Sequence, residues 1–261
     1  MLDPATPVMD KVNDSNKVHL EAPAKWLKSG WHDFKAEPIV GLTYGAVFVL
    51  SGYALYFILQ YLNLSYLILP ISGSFILFAP WLALGLYEVS RQREKGLKPT
   101  FTSTCGAWRQ SPRRLGVLAF ILLLFMMLWT QVAVVLYALM MGNASLSLDT
   151  LTTDIFTRTD GLVFLVVGSV VGLIFAAIVF LFTAVSVPMI LDRDVDTFEA
   201  MHFSFQTVMK NSHVMWSWAF TIAIISWFAM ATFFIGLVVA MPVLGYASWH
   251  AYRDLVPVKI D

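Results

Sequence analysis

The chain has 261 residues, of which 58% are hydrophobic and only 13% charged, where a soluble globular domain carries roughly 25% charged residues. Seventeen Lys+Arg balance seventeen Asp+Glu, so net charge points neither to nucleic acid nor to an acidic solvating tail. The single cysteine, Cys105, excludes an internal disulfide, a four-cysteine zinc site and a CxxC redox motif. What remains is a polytopic membrane protein.

Residues 1–38 are polar, with Pro4, Pro7 and Pro23, and the first apolar run begins too late for a signal peptide. Residues 1–22 are therefore expected to be a retained, disordered N-terminus, and 23–256 a single integral-membrane domain followed by a short tail at 257–261. From Ile39 to Tyr87 there are 49 residues without Asp, Glu, Lys or Arg, while one crossing needs about 20. Two helices are predicted here, at 39–61 and 66–87. A third is predicted at 115–141, ending before Gly142 and a Ser/Thr/Asp-rich loop, and a fourth at 162–191. The last uncharged run, Val214 to Ser248, is 35 residues long. As one helix it would extend about 52 Å against a hydrocarbon core of about 30 Å. As two helices, at 214–231 and 236–252, it would turn near Phe233 to Gly236, with Pro242 inside the sixth. Hydropathy alone leaves five or six crossings open.

A faint repeat favours six. Leu27, Trp31 and Phe34 sit at i, i+4, i+7, as do Phe101, Cys105 and Trp108, and Phe198, His202 and Phe205. Each triplet marks one face of a short helix ahead of a membrane segment. Asp196, three residues before Glu199, has the spacing of a capping box, and Thr100 after Pro99 is a candidate N-cap. The predicted fold is all-α: six transmembrane helices as three hairpins, each preceded by a short amphipathic helix at the cytoplasmic surface. With six crossings, sixteen of the seventeen Lys+Arg fall on the side of both termini and only Arg158 falls opposite; with five, the split is fourteen to three. Positive charge marks the cytoplasmic side, so both termini are placed inside. Trp26, Trp31, Trp249 and Tyr252 would line the inner interface, and Tyr61 and Tyr66 the outer one.

No carboxylate, Lys or Arg is expected in the middle of a helix, which removes most support for a charge-coupled transporter. Gln60 and Gln131 suit interhelical hydrogen bonding, and Gly41 with Gly45 and Gly168 with Gly172 have the small-xxx-small spacing of close helix packing. The histidines are His19, His32, His202, His213 and His250. No two have the i, i+4 spacing of a helical metal site, and no metal or cofactor is assigned. No GxSxG, HExxH or P-loop motif is present.

The distinctive clusters close the even-numbered helices. Glu88 and Arg91 follow the second, Asp192, Arg193, Asp194 and Asp196 the fourth, and His250, Tyr252, Arg253 and Asp254 the sixth. With Trp108 and His202 they form a candidate cytoplasmic interaction face. One reading makes them salt bridges that tie helix ends to neighbouring helices; the other makes them a polar binding site. Arg109, Arg113 and Arg114 add a basic cluster suited to lipid headgroups.

At these residues the chain resembles the bacterial integral-membrane family called domain of unknown function 2189, over about Trp26 to Val256. The resemblance is carried by Leu86-Tyr87-Glu88 with Ser90-Arg91, by Pro188-Met189 with Leu191-Asp192-Arg193-Asp194-Val195-Asp196, and by Pro242-Val243-Leu244-Gly245 with Trp249-His250-Ala251-Tyr252-Arg253-Asp254-Leu255-Val256. A His is common in the family where Tyr246 stands here, a departure that weakens any obligatory pair with His250. The resemblance implies a bacterial inner-membrane protein and a helical hairpin at the end, and brings no established activity. Some members carry the label of a cytochrome c oxidase subunit. A haem-copper core needs more membrane-embedded His ligands than the five His of this chain supply, which leaves an accessory role at a respiratory complex.

Two functions from different classes follow. The first is a non-enzymatic accessory, assembly or organising factor that binds membrane-protein partners or lipid at its cytoplasmic face. The second is a permease for a neutral or lipid-like solute, with a path between the hairpins. An enzyme is disfavoured for lack of a catalytic constellation.

Overall fold

Long apolar runs that cannot be covered by so short a chain are stable only as helices whose backbone groups are satisfied internally. The computed structural model, described for residues 15–64, 67–68, 71, 79–141 and 159–257, is helical throughout, with no strand among the described residues. In chain order the helices are α1 (Ala22–Ala36), α2 (Pro38–Tyr61), α3 (Leu84–Glu94), α4 (Phe101–Thr104), α5 (Pro112–Met141), α6 (Thr159–Thr183), α7 (Ser186–Asp192), α8 (Thr197–Lys210), α9 (Ser212–Ala231) and α10 (Leu237–Leu255); a 3₁₀ turn at Ala107–Gln110 precedes α5. Among the described residues, four segments are long and apolar enough to cross a membrane: Pro38–Tyr61, Pro112–Met140, Gly161–Asp192 and Ser212–Ala231. Even the best covered of these buries only 22% of its apolar window within the protein. So much uncovered apolar side chain is compatible with lipid and not with water.

The helices at 39–61, 115–141 and 214–231 lie where the hydropathy places them. The predicted fourth span is interrupted at residues 184–185, where α6 gives way to α7. Of the predicted second span, at 66–87, residues 66, 69–70 and 72–78 lie outside the described residues, and its end is helical on both sides of a turn at Ala83. The loop from Gly142 to Gly161 lies largely outside the described residues. The last apolar run is two helices rather than one, with its turn at residues 232–236. Phe233 and Phe234 occupy left-handed backbone there, at φ 53° and 65°, a conformation that costs a non-glycine residue roughly 1 kcal/mol. Thr232 supports the turn: its Oγ1 donates to the Ala229 carbonyl at 2.7 Å and accepts from the Gly236 N–H at 2.8 Å.

The chain divides into two units, residues 1–49, 83–115 and 181–261, and residues 50–82 and 116–180. In the second unit α5 and α6 meet through aromatic rings. Phe175 lies 4.9 Å from Phe125 and 5.4 Å from Trp129, and Tyr137 lies 5.7 Å from Phe164. Gly172 leaves room for the Trp129 indole, while Gly168 faces open space.

In the first unit α10 is the central element. Tyr246, Ala247, Trp249 and Leu255 are fully buried, and α1, α3, α7 and α9 pack on it. Phe34, Val40, Leu86, Val89, Val243 and Tyr246 form one apolar cluster. Pro242 lacks the N–H that would close a helical bond on the Val238 carbonyl. Gly45 of α2 approaches at that point: a Cβ built on it would lie 2.0 Å from the Val238 oxygen. The Gly41–Gly45 pair therefore serves packing within the chain.

Both expected caps are present. Thr100 Oγ1 accepts from the Ser103 N–H at 3.2 Å while Ser103 Oγ accepts from the Thr100 N–H at 3.1 Å. Asp196 accepts from the Phe198 N–H at 3.1 Å, but Glu199 closes no box, its Oε1 being buried without a hydrogen bond. Asp196→Ala should destabilise the protein by about 1 kcal/mol, read as a lower thermal midpoint in mild detergent.

Residues 15–20, part of the segment expected to be disordered, are held against the other end of the chain. The Asn16 N–H donates to the Leu255 carbonyl at 2.9 Å, and Asn211 brackets Val18 and Asn16 through its side-chain amide. An Asn at the α8–α9 junction supplies the backbone partners that an isolated polar segment lacks.

Candidate functional site

The polar residues of the first unit form three clusters around α10. The first is centred on Asp33, on the buried face of α1 with Trp26, Gly30 and Phe34. Asp33 Oδ2 accepts from Ser90 Oγ at 2.7 Å and pairs with His250 Nε2 at 2.9 Å; Arg93 Nε lies 3.2 Å from Oδ1. Burial pushes the Asp33 carboxyl up, but the hydrogen bonds from His250 and Ser90 and the charges of His250 and Arg93 outweigh it and hold the group below the ordinary carboxylate range. Ser90 and His250 share one carboxylate oxygen, so the arrangement ties three helices, α1, α3 and α10, to one anion. Nearby on α10, the Tyr246 hydroxyl is buried without a hydrogen-bond partner.

The second cluster is centred on Asp192, at the end of α7. Tyr252 donates to its Oδ2 at 2.9 Å, Arg253 lies 3.5 Å from the same oxygen, and Arg91 Nε lies 3.5 Å from Oδ1. Arg91 also donates to Glu88 at 2.8 Å and to Gln110 at 2.7 Å, and Arg253 pairs with Glu94 at 3.2 Å. Gln92 completes Glu88 by donating to its second oxygen at 2.9 Å. Arg193 donates to the Tyr252 hydroxyl at 3.2 Å and to the Pro257 carbonyl. In the third cluster Asp254 accepts from Trp26 Nε1 at 2.8 Å and pairs with Lys25 at 3.3 Å, fixing α1 to the end of α10. The Trp26 ring meets Trp218 edge-on at 5.7 Å.

The structure thus brings Glu88, Arg91, Asp192, Arg193, Tyr252 and Arg253 into one network, with His250 and Asp254 in the two flanking clusters. Glu88 is 4% exposed, so its position is interior and not on an open face. The remaining candidates are elsewhere. Trp108 is exposed beneath the Arg109 guanidinium, 5.4 Å from its ring. Asp194 pairs with Arg114 on the surface, Asp196 caps α8, and His202 is exposed beside Gln206, 2.9 Å away. His202, His213 and His250 do not converge; among the described residues no three His, Cys, Asp or Glu are grouped to hold a metal ion.

Sequence reasoning missed Asp33, Arg93 and Glu94, and it placed Trp26, Trp249 and Tyr252 at the membrane interface, whereas all three are buried within the protein. A signal existed for α1: Trp26, Gly30 and Asp33 with Phe34 share the helical spacing of the Leu27–Trp31–Phe34 triplet, one residue round. An acid and a glycine do not register as core residues, so the apolar triplet drew attention to the neighbouring face.

Uncovered apolar helices joined to charged ends that neutralise one another define an integral membrane protein. The chain matches the family described as predicted integral membrane protein (DUF2189) over residues 68–192, a stretch that takes in the motif at residues 86–91 and the start of the one at 188–196 but not the one at 242–256. No curated protein and no solved structure matches it.

Proposed function

We propose that the protein is a non-enzymatic accessory, assembly or organising factor of the bacterial inner membrane, with both termini cytoplasmic and six crossings in three hairpins. In this reading it binds a membrane-protein partner, such as a component of a respiratory complex, at its cytoplasmic face. The observation that carries the reading is how the charges are used. Arg91, Arg253, Asp192 and Glu88 are closed on one another, a role that fixes helix ends, whereas Trp108 and Phe198 are 44% and 65% exposed. Exposed aromatic side chains are the usual anchors of interfaces, and a rigid charged interior holds them in fixed positions.

Affinity purification from native membranes in mild detergent tests this. A reproducible stoichiometric membrane-protein partner is expected. A solitary protein that conducts a neutral solute into liposomes would instead establish the permease reading.

A further inference from the structure

The two faces of α1 differ in kind. Its inner face, Trp26, Gly30, Asp33 and Phe34, is buried. Its outer face presents Lys28, Trp31, His32 and Lys35 to the surroundings, all exposed. Lys25 is engaged with Asp254, but Lys28 and Lys35 have no carboxylate partner among the described residues. The acids of the region are withdrawn from this face: Asp33 is buried and neutralised by His250 and Arg93, and Glu21 and Glu37 lie beyond the two helix ends. Only Glu37 separates α1 from Pro38, the first residue of a helix long and apolar enough to cross a bilayer. The outer face of α1 therefore stands next to the point where the chain enters the membrane. Two unpaired cations flank a half-exposed indole there, the composition that suits anionic headgroups above an acyl boundary.

We propose that the outer face of α1, through Lys28, Trp31 and Lys35, docks on the anionic phospholipid headgroups of the leaflet beside it. The site takes the phosphodiester of a bilayer lipid, with Trp31 at the headgroup level and the two ammonium groups paired to lipid phosphates. It rests on the functional reading above only in assigning this side to the cytoplasmic leaflet. Docking would hold α1, and through the Asp33 and Asp254 ties the end of α10, at a fixed height relative to the bilayer.

The test uses the purified full-length protein without any partner, so its result is independent of whether a partner exists. Retention of phosphatidylglycerol and phosphatidylcholine from mixed micelles would be counted by native mass spectrometry at low and high salt. Wild type should retain phosphatidylglycerol in preference to phosphatidylcholine, with the preference falling as salt rises. The Lys28→Gln/Lys35→Gln double variant should lose about tenfold in that preference with an unchanged thermal midpoint, because neither lysine makes an ion pair among the described residues. Equal retention of the two lipids by wild type, or an unchanged preference in the double variant, would overturn the proposal. So would displacement of the lipid by inorganic phosphate at matched ionic strength, which would make the site one for a soluble anion.

Discussion

Asp33→Ala is expected to destabilise the protein by about 3 kcal/mol, a large share of the stability of a marginally stable fold. The substitution leaves the Arg93 cation, the His250 ring and the Ser90 hydroxyl grouped around an absent anion. Breaking a buried pair by removing one partner costs more than the pair itself contributes, because the remaining charge stays desolvated. Asp33→Asn retains a carbonyl for Ser90 and should cost less, which separates charge from hydrogen bonding. The pH dependence has a definite sign. The folded Asp33 carboxyl titrates below its ordinary value of 3.8, so its contribution is fully present above that pH and disappears as pH falls through the lowered value. The gap in thermal midpoint between wild type and Asp33→Asn should therefore be steady near neutrality and close in acid. A midpoint for Asp33→Ala equal to that of wild type at pH 7 would show that the cluster contributes nothing.

Gly45→Leu is the second substitution with a large expected effect. Even the first carbon of the new side chain would lie 2.0 Å from the Val238 oxygen and 2.6 Å from its carbonyl carbon. The obstacle is the backbone of α10, so no rotamer change relieves it and α2 must move away from α10. That separation would open the cluster of Val49, Ala229 and Leu237. We expect a loss of about 3 kcal/mol, the upper range of overpacking, read as a fall in thermal midpoint in detergent. Gly52, seven residues on along α2, has nothing within 4 Å of its Cβ position. Gly52→Leu serves as the control and should melt close to wild type. Equal behaviour of the two variants would contradict the close approach of α2 to α10.

Hydropathy made the apolar helices legible because length and the absence of charge are all that a bilayer demands. Hydropathy left the last run open between one helix and two; the faint repeat favoured the division, which the structure places at residues 232–236. The interior of the charged clusters was legible only in part. Glu88, Arg91, Asp192 and Arg253 drew attention as acids and bases at helix ends, and the structure joins them. Asp33 and Ser90 could not be paired from sequence, because they lie 57 residues apart and the helical spacing that aligns Asp33 with Trp26 and Gly30 names no partner for it. The triplets at Trp31 and Phe198 lie on helices, α1 and α8, but the buried faces of those helices run through Trp26, Gly30 and Asp33 and through Ala200, Phe203 and Thr207. Between Phe101 and Trp108 the helix breaks after Thr104 and resumes as a 3₁₀ turn, so Cys105 and Trp108 share no single α-helix with Phe101.

The proposed docking role requires the charged clusters to lie on the cytoplasmic side of the membrane, and the chain carries its own probe for it. Cys105 is the one cysteine, and it is exposed beside the Trp108 and Arg109 pair. A membrane-impermeant thiol reagent should leave it unlabelled in intact cells and label it fully once the inner membrane is permeabilised. Full labelling of Cys105 in cells whose inner membrane is intact would place these clusters outside and contradict a cytoplasmic docking role.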